Sequence, residues 1–562
     1  IEHIQQAKPS KSTQSVQLQD IAHTLNVARK PMAWRATVSG TDLGALQSKL
    51  RGPVPGIRCA EHSATPPLVF VFPGQGAQYL QMGSMLMQSN AVFADAYQRA
   101  IDAIAQHVEG PFASILLEGE DAQALAQTAM LQPALFCIEI ALGETLIAAG
   151  LEPAAMIGHS IGEFAAATLA GVMTLADAAR LVARRGALMQ AQPTGAMLSV
   201  LMPAQALADC LPDELDLAAD NGPEACVCAG PSSTIEAFSQ TLQARGLSCQ
   251  ILDTSHAFHS AMMAPAARQF ADEVSRVSLH APQRSIISTK TGLPLSAQQA
   301  CDPAYWAEQL RMPVRFSSAI KTAQANYEHA VFVELGPRAS LSSLIRLITN
   351  GTALAIAALG KQADSEAVSF AQCFGLLWSA GLDTRAALPT QGRRISLPTY
   401  PFEATRHWLD AAPWSATADS SRPQGAQIPP GTPDTEASAP VAVSIHERLR
   451  DLLEQASGLS FMAEHDEVSF AELGLDSLSL TQIALQVKRA FKADVTFRQL
   501  MQEHDSINRL ADYLTRVTPA EDSPAGAPAP ASAQPPAAET TAASPMPPRA
   551  RPDPASAPAK AF

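Results

Sequence analysis

Between residues 66 and 410, short apolar runs alternate with longer stretches whose apolar positions recur at helical spacing. The run "LVFVF" (68–72) has no polar interruption, which predicts a strand buried on both faces. A second run, "AAMIG" (154–158), leads directly into "HSIGEFAAATLAGV", a turn and then a helix. Such alternation predicts an α/β domain. Inside it, "AMLSVL", "PAQALADCL", "LDLAAD", "ACVCAG", "STIEAFSQTLQARG" and "SCQILD" read strand, helix, strand, strand, helix, strand. That order predicts a ferredoxin-like subdomain inserted over about 195–256. Residues 441–516 are amphipathic helix throughout and predict a separate all-α unit. In it, "FAELGLDSLSLTQIALQVKRAF" (470–491) places Leu478, Leu480, Ile483, Leu485 and Val487 towards a bundle. Residues 16–52 read helix, strand, helix, too little for an independent domain. Residues 412–440 and 517–562 have no period and are rich in Pro, Ala and Ser, which predicts a flexible linker and a disordered, extended tether.

Composition narrows the classes. A chain of 562 residues is long enough for several domains, and 47% hydrophobic residues are ample for a sizeable core. A formal charge of −14 argues against a nucleic-acid or anionic-membrane surface, both of which need clustered Lys and Arg. The eight cysteines fall between Cys59 and Cys373, and "CVC" (226–228) lacks the C-x-x-C spacing of metal or redox sites, so reduced thiols and a cytoplasmic chain are expected. No charged-then-apolar leader opens the sequence, and no stretch approaches the roughly 18 uninterrupted apolar residues of a membrane span. Beginning at Ile1, it reads as a piece of something longer.

The strongest local chemistry is "GHSIGEF" (158–164). Strand, glycine-flanked serine and helix form the context of a nucleophile elbow, in which Ser160 projects from a sharp turn ahead of a helix N-terminus. The alternative is a serine that only caps the helix. A nucleophile needs a base, and "DTSHAFHSAMM" (253–263) offers His256 and His259. With no third His or Cys nearby, no metal site is expected there. Oxyanion donors could come from the backbone N–H of Gln75 in "PGQGAQ" and of Ile161 after the serine. Arg185, on the otherwise apolar helix segment "LVARRGALMQ", either snorkels to solvent or meets an anion in a pocket. Next to an acyl-transferring serine, a planar guanidinium suits an acyl group with a second, free carboxylate.

In order along the chain, "FVFPGQGAQY", "QPALF", "GHSIGEFAAATLAG", "RRGALMQ", "NGPEACVCAGP", "SHAFHSAMM", "MPVRF" and "ELGPRASL" resemble malonyl-CoA:acyl carrier protein transacylases and the acyltransferases of modular polyketide synthases. The resemblance covers 66–355. It implies an α/β-hydrolase-like acyltransferase core carrying the ferredoxin-like insert. Residues 1–65 then resemble part of a ketosynthase–acyltransferase linker, and 356–411, with "RRISLPTYPFEATRHWLD", a post-acyltransferase linker. Around Ser477, "ELGLDSLSLTQ" resembles acyl carrier proteins, making 441–516 a four-helix carrier domain with 4'-phosphopantetheine on Ser477.

Carried over residue by residue, the resemblance makes Ser160 the nucleophile and His259, rather than His256, the base. It puts the oxyanion at the N–H groups of Gln75 and Ile161, and the malonyl carboxylate on Arg185. It assigns the orientation of His259 to a backbone carbonyl at Arg315, and substrate choice to His256, Phe258 and Ile161, the "HAFH" pattern that accompanies malonyl rather than methylmalonyl. The implied activity is loading of an extender unit: malonyl passes from malonyl-CoA through Ser160 to the thiol on Ser477. The implied partners are an upstream ketosynthase, a downstream synthase domain and a phosphopantetheinyl transferase, with neither nucleic acid nor membrane. Two other classes use part of this equipment. A serine hydrolase or thioesterase would need the elbow and the histidine but not Arg185, and a scaffold would need neither.

Overall fold

A computed structural model of the chain describes residues 17–51, 58–59, 65–119, 121–385, 392–399, 445–457, 466–470, 473, 475, 477–493 and 495–517. The 412–440 linker and the Pro/Ala segment from 518 onward lie outside the described residues.

Among the described residues, eight strands form two sheets: β1 (Leu68–Phe72), β2 (Ala155–Gly158), β3 (Ala196–Val200), β4 (Asp216–Gly222), β5 (Ala225–Gly230), β6 (Cys249–Ile251), β7 (Val331–Glu334) and β8 (Leu354–Ala357). A two-residue ladder also joins Trp34–Arg35 to Arg58–Cys59. The first sheet has the order β8-β7-β1-β2 and every pairing in it is parallel. All residues of β1, β2 and β7 are buried, as uninterrupted apolar runs covered on both faces require. From β1 the chain moves to β2 on one side and later returns to β7 on the other. In open parallel sheets such a switch point leaves a crevice at the carboxyl ends of the strands. Both sequence motifs, "PGQG" after β1 and "HSIG" after β2, fall there.

The described helices used below are α1 (Leu18–Ala28), α2 (Ala91–Ala105), α3 (Thr128–Ala148), α4 (Gly162–Leu169), α5 (Leu175–Gln190), α6 (Ser232–Ala244), α7 (Phe316–Asn326), α8 (Glu366–Ser379) and, in the C-terminal unit, α9 (Ile445–Ser457), α10 (Ser477–Phe491), α11 (Phe497–Gln502) and α12 (Ile507–Val517). Helix α3 is long and apolar enough to cross a bilayer, but 83% of its most apolar window is buried inside the fold, against α2, α4 and α5. It is a core helix, apolar all round because it is covered all round.

The second sheet has the order β4-β5-β3-β6 and is wholly antiparallel. Its period-two alternation serves two cores. Leu198, Val200, Cys226 and Cys228 pack with Ile235, Phe238 and Leu242 of α6, whereas Met197, Val227 and Ala229 join the core of the larger domain. Residues 392–399 run against α1: Arg393 N–H donates to Asp20 Oδ1 at 2.7 Å, Ile395 N–H to Thr24 Oγ1 at 3.0 Å, and Arg29 Nη2 to the carbonyl of Pro398 at 2.8 Å.

The C-terminal unit is all-α in its described residues, with Leu449, Leu453, Leu480, Ile483, Val487, Leu500, Leu510 and Leu514 in one core. Of the five positions predicted to face the bundle, Leu480, Ile483 and Val487 are buried, and the side chains of Leu478 and Leu485 lie outside the described residues. Arg450 grips Asp466 with two bonds, of 2.9 and 2.7 Å.

Candidate active site

The turn after β2 is sharp because two glycines allow it. A Cβ on Gly158 would lie 2.1 Å from the backbone nitrogen of Glu163, and one on Gly162 would lie 2.5 Å from the carbonyl oxygen of Phe72. Ser160, between them, has φ 54°, a left-handed conformation that costs a non-glycine residue about 1–3 kcal/mol and persists only where its surroundings impose it. The Ser160 hydroxyl hydrogen-bonds His259 Nε2 at 2.8 Å. His259, also left-handed at φ 56°, lies in the loop beyond β6, and its Nδ1–H donates to the carbonyl of Met312 at 2.9 Å. Because that carbonyl can only accept, Nε2 is left as the unprotonated nitrogen that faces the serine. Burial, aided by the charge of Arg185 and by the neighbouring His159, holds His259 down at about 3. The imidazole is therefore neutral at physiological pH and able to take a proton.

Three expectations are sorted by this geometry. Of the two candidate histidines, His259 reaches Ser160, whereas His256 bonds Ser255 Oγ at 2.7 Å and the carbonyl of Gln192 at 3.1 Å. The carbonyl that holds His259 belongs to Met312, which corrects the assignment to Arg315. Arg315 caps α7, and its carbonyl accepts from Ala319 N–H at 3.0 Å as that helix begins. Its own N–H goes to the Thr289 carbonyl, while Val314 pairs with β4 through Ala218 and Asp220. Arg185 does not snorkel. It is fully buried on α5.

The surroundings of Arg185 are unusual for a buried cation. Nη1 donates to Gln132 Oε1 at 2.6 Å, and Nη2 to Gln309 Oε1 at 3.0 Å and to Ser160 Oγ at 3.3 Å. The guanidinium stands 5.7 Å from the Phe164 ring centroid, and its Nε–H has no hydrogen-bond partner. Among the described residues no carboxylate pairs with it. Glu163, whose charge acts on Arg185 from a distance, instead accepts from Thr289 N–H at 2.6 Å and Thr289 Oγ1 at 2.7 Å, and burial raises its own pKa. Burial lowers Arg185 to about 9, opposed by Glu163, so the group still carries its charge at neutral pH. Gln132 and Gln309 were not singled out from sequence. Gln132 was visible as a polar break in the apolar helix α3, but nothing in "AEQLRMPVRF" marks Gln309.

The "PGQG" turn lies against the elbow. A Cβ on Gly74 would sit 3.1 Å from the carbonyl oxygen of His159 and 3.6 Å from Ser160 Cβ, and Gln75 Oε1 accepts from Gln132 Nε2 at 2.9 Å. Ile161 is fully buried at the start of α4, and Phe258 is 7% exposed with its ring stacked on His256 at 6.0 Å between centroids. His159 Nε2 meets Asn221 Oδ1 at 2.9 Å, which ties the antiparallel sheet to the elbow. Ser477 is the first residue of α10, and its side chain lies outside the described residues.

Comparison with known proteins places these features in context. Residues 69–361 match the family described as "Acyl transferase domain", and 447–514 match "Phosphopantetheine attachment site". Polyketide synthase GfsA of Streptomyces halstedii is 32% identical over 516 residues, 88% of this chain but 7% of that protein. The phenolphthiocerol synthesis polyketide synthase type I Pks15/1 of Mycobacterium marinum is 36% identical over 401 residues, 69% of this chain and 19% of its own length. The chain thus spans a small part of the curated relatives it matches. Among solved structures, the acyl transferase domain of SpnD in complex with 2-(pent-4-yn-1-yl)malonyl superposes with a TM-score of 0.63 at 31% identity, over 69% of this chain and 92% of that one. The acyltransferase domain from the second module of the salinomycin polyketide synthase gives 0.59 at 34% identity, over 69% and 93%.

Proposed function

Because this chain belongs to the acyl transferase domain family and also carries a phosphopantetheine attachment site, we propose that it loads an extender unit within a polyketide synthase. Malonyl-CoA is the donor and Ser477 carries the acceptor. The observation that carries this reading is a serine 2.8 Å from a neutral histidine and 3.3 Å from a buried arginine without a carboxylate partner.

In the first half-reaction His259 Nε2 takes the Ser160 proton as the oxygen attacks the thioester carbonyl. The N–H groups of Gln75 and Ile161 hold the developing oxyanion, with the N-terminus of α4 adding its dipole. His259 returns the proton to the departing CoA sulfur as the C–S bond breaks, leaving malonyl on Ser160. Throughout, Arg185 holds the free carboxylate, which takes over the N–H now given to Ser160 Oγ and the unpartnered Nε–H. In the second half His259 would serve as base to the incoming acceptor and return the proton to Ser160 Oγ as the new acyl bond forms and the ester C–O bond breaks. Ser477 fits phosphopantetheine in that it supplies the hydroxyl a phosphodiester needs, at the N-terminus of a 15-residue helix whose free N–H groups favour a phosphate. When bound, that group supplies the thiol which accepts the acyl chain.

Malonyl is read over methylmalonyl because a large ring at Phe258, buried and stacked on His256, would take up space that a substrate methyl requires. The βαββαβ order of β3 to β6 supports the ferredoxin-like description of the insert. Its partners would be a ketosynthase, a following synthase domain and a phosphopantetheinyl transferase. A hydrolase or thioesterase reading is disfavoured by Arg185, whose burial without an ion-pair partner serves no neutral acyl group.

Intact-protein mass tests the proposal, after phosphopantetheinylation and incubation with malonyl-CoA, in wild type and Ser160→Ala. Malonyl on both Ser160 and the Ser477 arm in wild type, with background carrier labelling in the variant, is expected. Undiminished carrier labelling in Ser160→Ala would overturn it.

A further inference from the structure

Two features of the guanidinium cage are independent of any ligand. An arginine has five N–H donors and no acceptor, so whatever hydrogen-bonds it must present an acceptor. The two side chains that hold the Arg185 amino groups do so with amide oxygens, Gln132 Oε1 at 2.6 Å and Gln309 Oε1 at 3.0 Å. Both are almost fully buried, Gln132 at 0% and Gln309 at 3% exposure. Where an arginine is buried, a carboxylate is the ordinary partner, because pairing offsets the cost of taking the charge out of water. Here a carboxylate, Glu163, sits within electrostatic reach but is occupied by Thr289.

Each amide is also fixed in orientation by its second bond. Gln309 Nε2 donates to the carbonyl of Ser160 at 2.6 Å, and Gln132 Nε2 to Gln75 Oε1 at 2.9 Å. The cage therefore joins the cation to the elbow backbone on one side and to the "PGQG" turn on the other. It fixes where the guanidinium stands without cancelling its charge.

We propose that Gln132 and Gln309 are specificity-determining positioning residues: by holding Arg185 with neutral oxygens they keep its charge unpaired for an acyl group with a free carboxylate, and so exclude neutral acyl groups. This rests on the reading of Arg185 as the carboxylate clamp. Its consequence is that a carboxylate at either amide position would act as a built-in substitute for the substrate's own. Such a change would pair the cation internally, repel a malonyl carboxylate and leave a neutral acyl chain unopposed.

Gln132→Glu is the cleaner substitution. It keeps side-chain length, and the partly exposed Gln75 amide can turn to donate to the new carboxylate. Gln309→Glu would set a carboxylate oxygen against the Ser160 carbonyl at the elbow, so it serves as the second variant. The assay is the rate of Ser160 acylation by malonyl-CoA and by acetyl-CoA, read by intact mass on the full chain, with circular dichroism to confirm folding.

In Gln132→Glu the malonyl-to-acetyl ratio of kcat/KM should fall at least tenfold, with the acetyl rate unchanged or higher, and Gln309→Glu should shift the ratio the same way. A merely structural lesion would lower both rates together and leave the ratio alone, which would overturn the proposal. Arg185→Ala separates the two levels of argument. If it leaves the ratio unchanged, the clamp reading itself is wrong and the proposal falls with it. If Arg185→Ala collapses the ratio while both glutamate variants keep it, the clamp stands and the inference about the amides is refuted.

Discussion

Lowering the pH from 7 to 5 separates a buried base from an ordinary one. A histidine with the usual value near 6.5 is about 97% protonated at pH 5, so a step that needs it neutral slows about 25-fold between pH 7 and pH 5. His259 is held at about 3, first by burial, then by the charge of Arg185 and by His159 beside it. At pH 5 it is only about 1% protonated on that value, so kcat/KM for Ser160 acylation should be flat between pH 5 and 8. The bound complex should differ. Arg185 Nη2 is 3.3 Å from Ser160 Oγ, which is 2.8 Å from His259 Nε2, so the two charged groups would be no more than about 6 Å apart. At an effective dielectric constant of about 20, that repulsion is about 3 kcal/mol against an imidazolium. A malonyl carboxylate on Arg185 offsets much of it, so the acid limb of kcat should lie at higher pH than that of kcat/KM. Rapid-quench intact mass measures both, with a truncated malonyl thioester as a control free of the titrating CoA phosphates. Stability must be followed alongside. His159 and His259 are both depressed in the fold, so below about 6.5 the unfolded chain takes up protons that the folded one refuses. Their contribution to stability is present above that value and is lost as the pH falls, for His259 down to about 3. Circular dichroism at each pH confirms that the protein measured is folded. A kcat/KM limb centred near 6.5 in folded protein would refute the argument, since His259 would then be either solvated or not the base.

Phe258→Ala should raise the methylmalonyl-to-malonyl ratio in a competition assay, by no more than about 10–200-fold because one methyl group is worth only about 1–3 kcal/mol; an unchanged ratio would remove Phe258 from substrate choice. Gly162→Ala places a Cβ 2.5 Å from the Phe72 carbonyl oxygen and 2.8 Å from its Cβ, so thermal unfolding should show about 1–3 kcal/mol of destabilisation together with slowed Ser160 acylation. A variant that matches wild type in both would mean that the elbow is less tightly closed than its geometry indicates. Ser477→Ala should retain malonyl on Ser160 and lose all label on the carrier unit, and persistent carrier label would place the acceptor elsewhere.

The parts of the site that local pattern could reveal are those built from consecutive residues. β1 and β2 are uninterrupted apolar runs and the elbow is a run of seven residues, so the strand, the turn, the serine and the helix could all be read in line. What local pattern could not decide is which residues from distant segments converge. His256 and His259 are equivalent to a base search, and only the path of the loop beyond β6 turns one to Ser160 and the other to the Gln192 carbonyl. The carbonyl on His259 was placed in the correct segment and at the wrong residue. Nothing in the local pattern of "MPVRF" separates the Met312 carbonyl, which reaches His259, from that of Arg315, which caps α7. Gln309 was illegible because its role depends on a contact 149 positions away, to the Ser160 carbonyl.

On the proposed function, Arg185 would join binding to chemistry in one residue. In the free site its charge opposes protonation of His259, and a histidine held near 3 is always available as a base but is a weak one. A carboxylate on the guanidinium would relieve that opposition and strengthen the base at the moment the correct acyl group is in place. A neutral acyl group brings no such change, so it loses both the ion pair and the gain in basicity. Selection then has two multiplying parts, one in binding and one in proton transfer, and both require that nothing inside the protein pairs with the cation first. Glu163, drawn off by Thr289, and the two glutamine oxygens meet that requirement together.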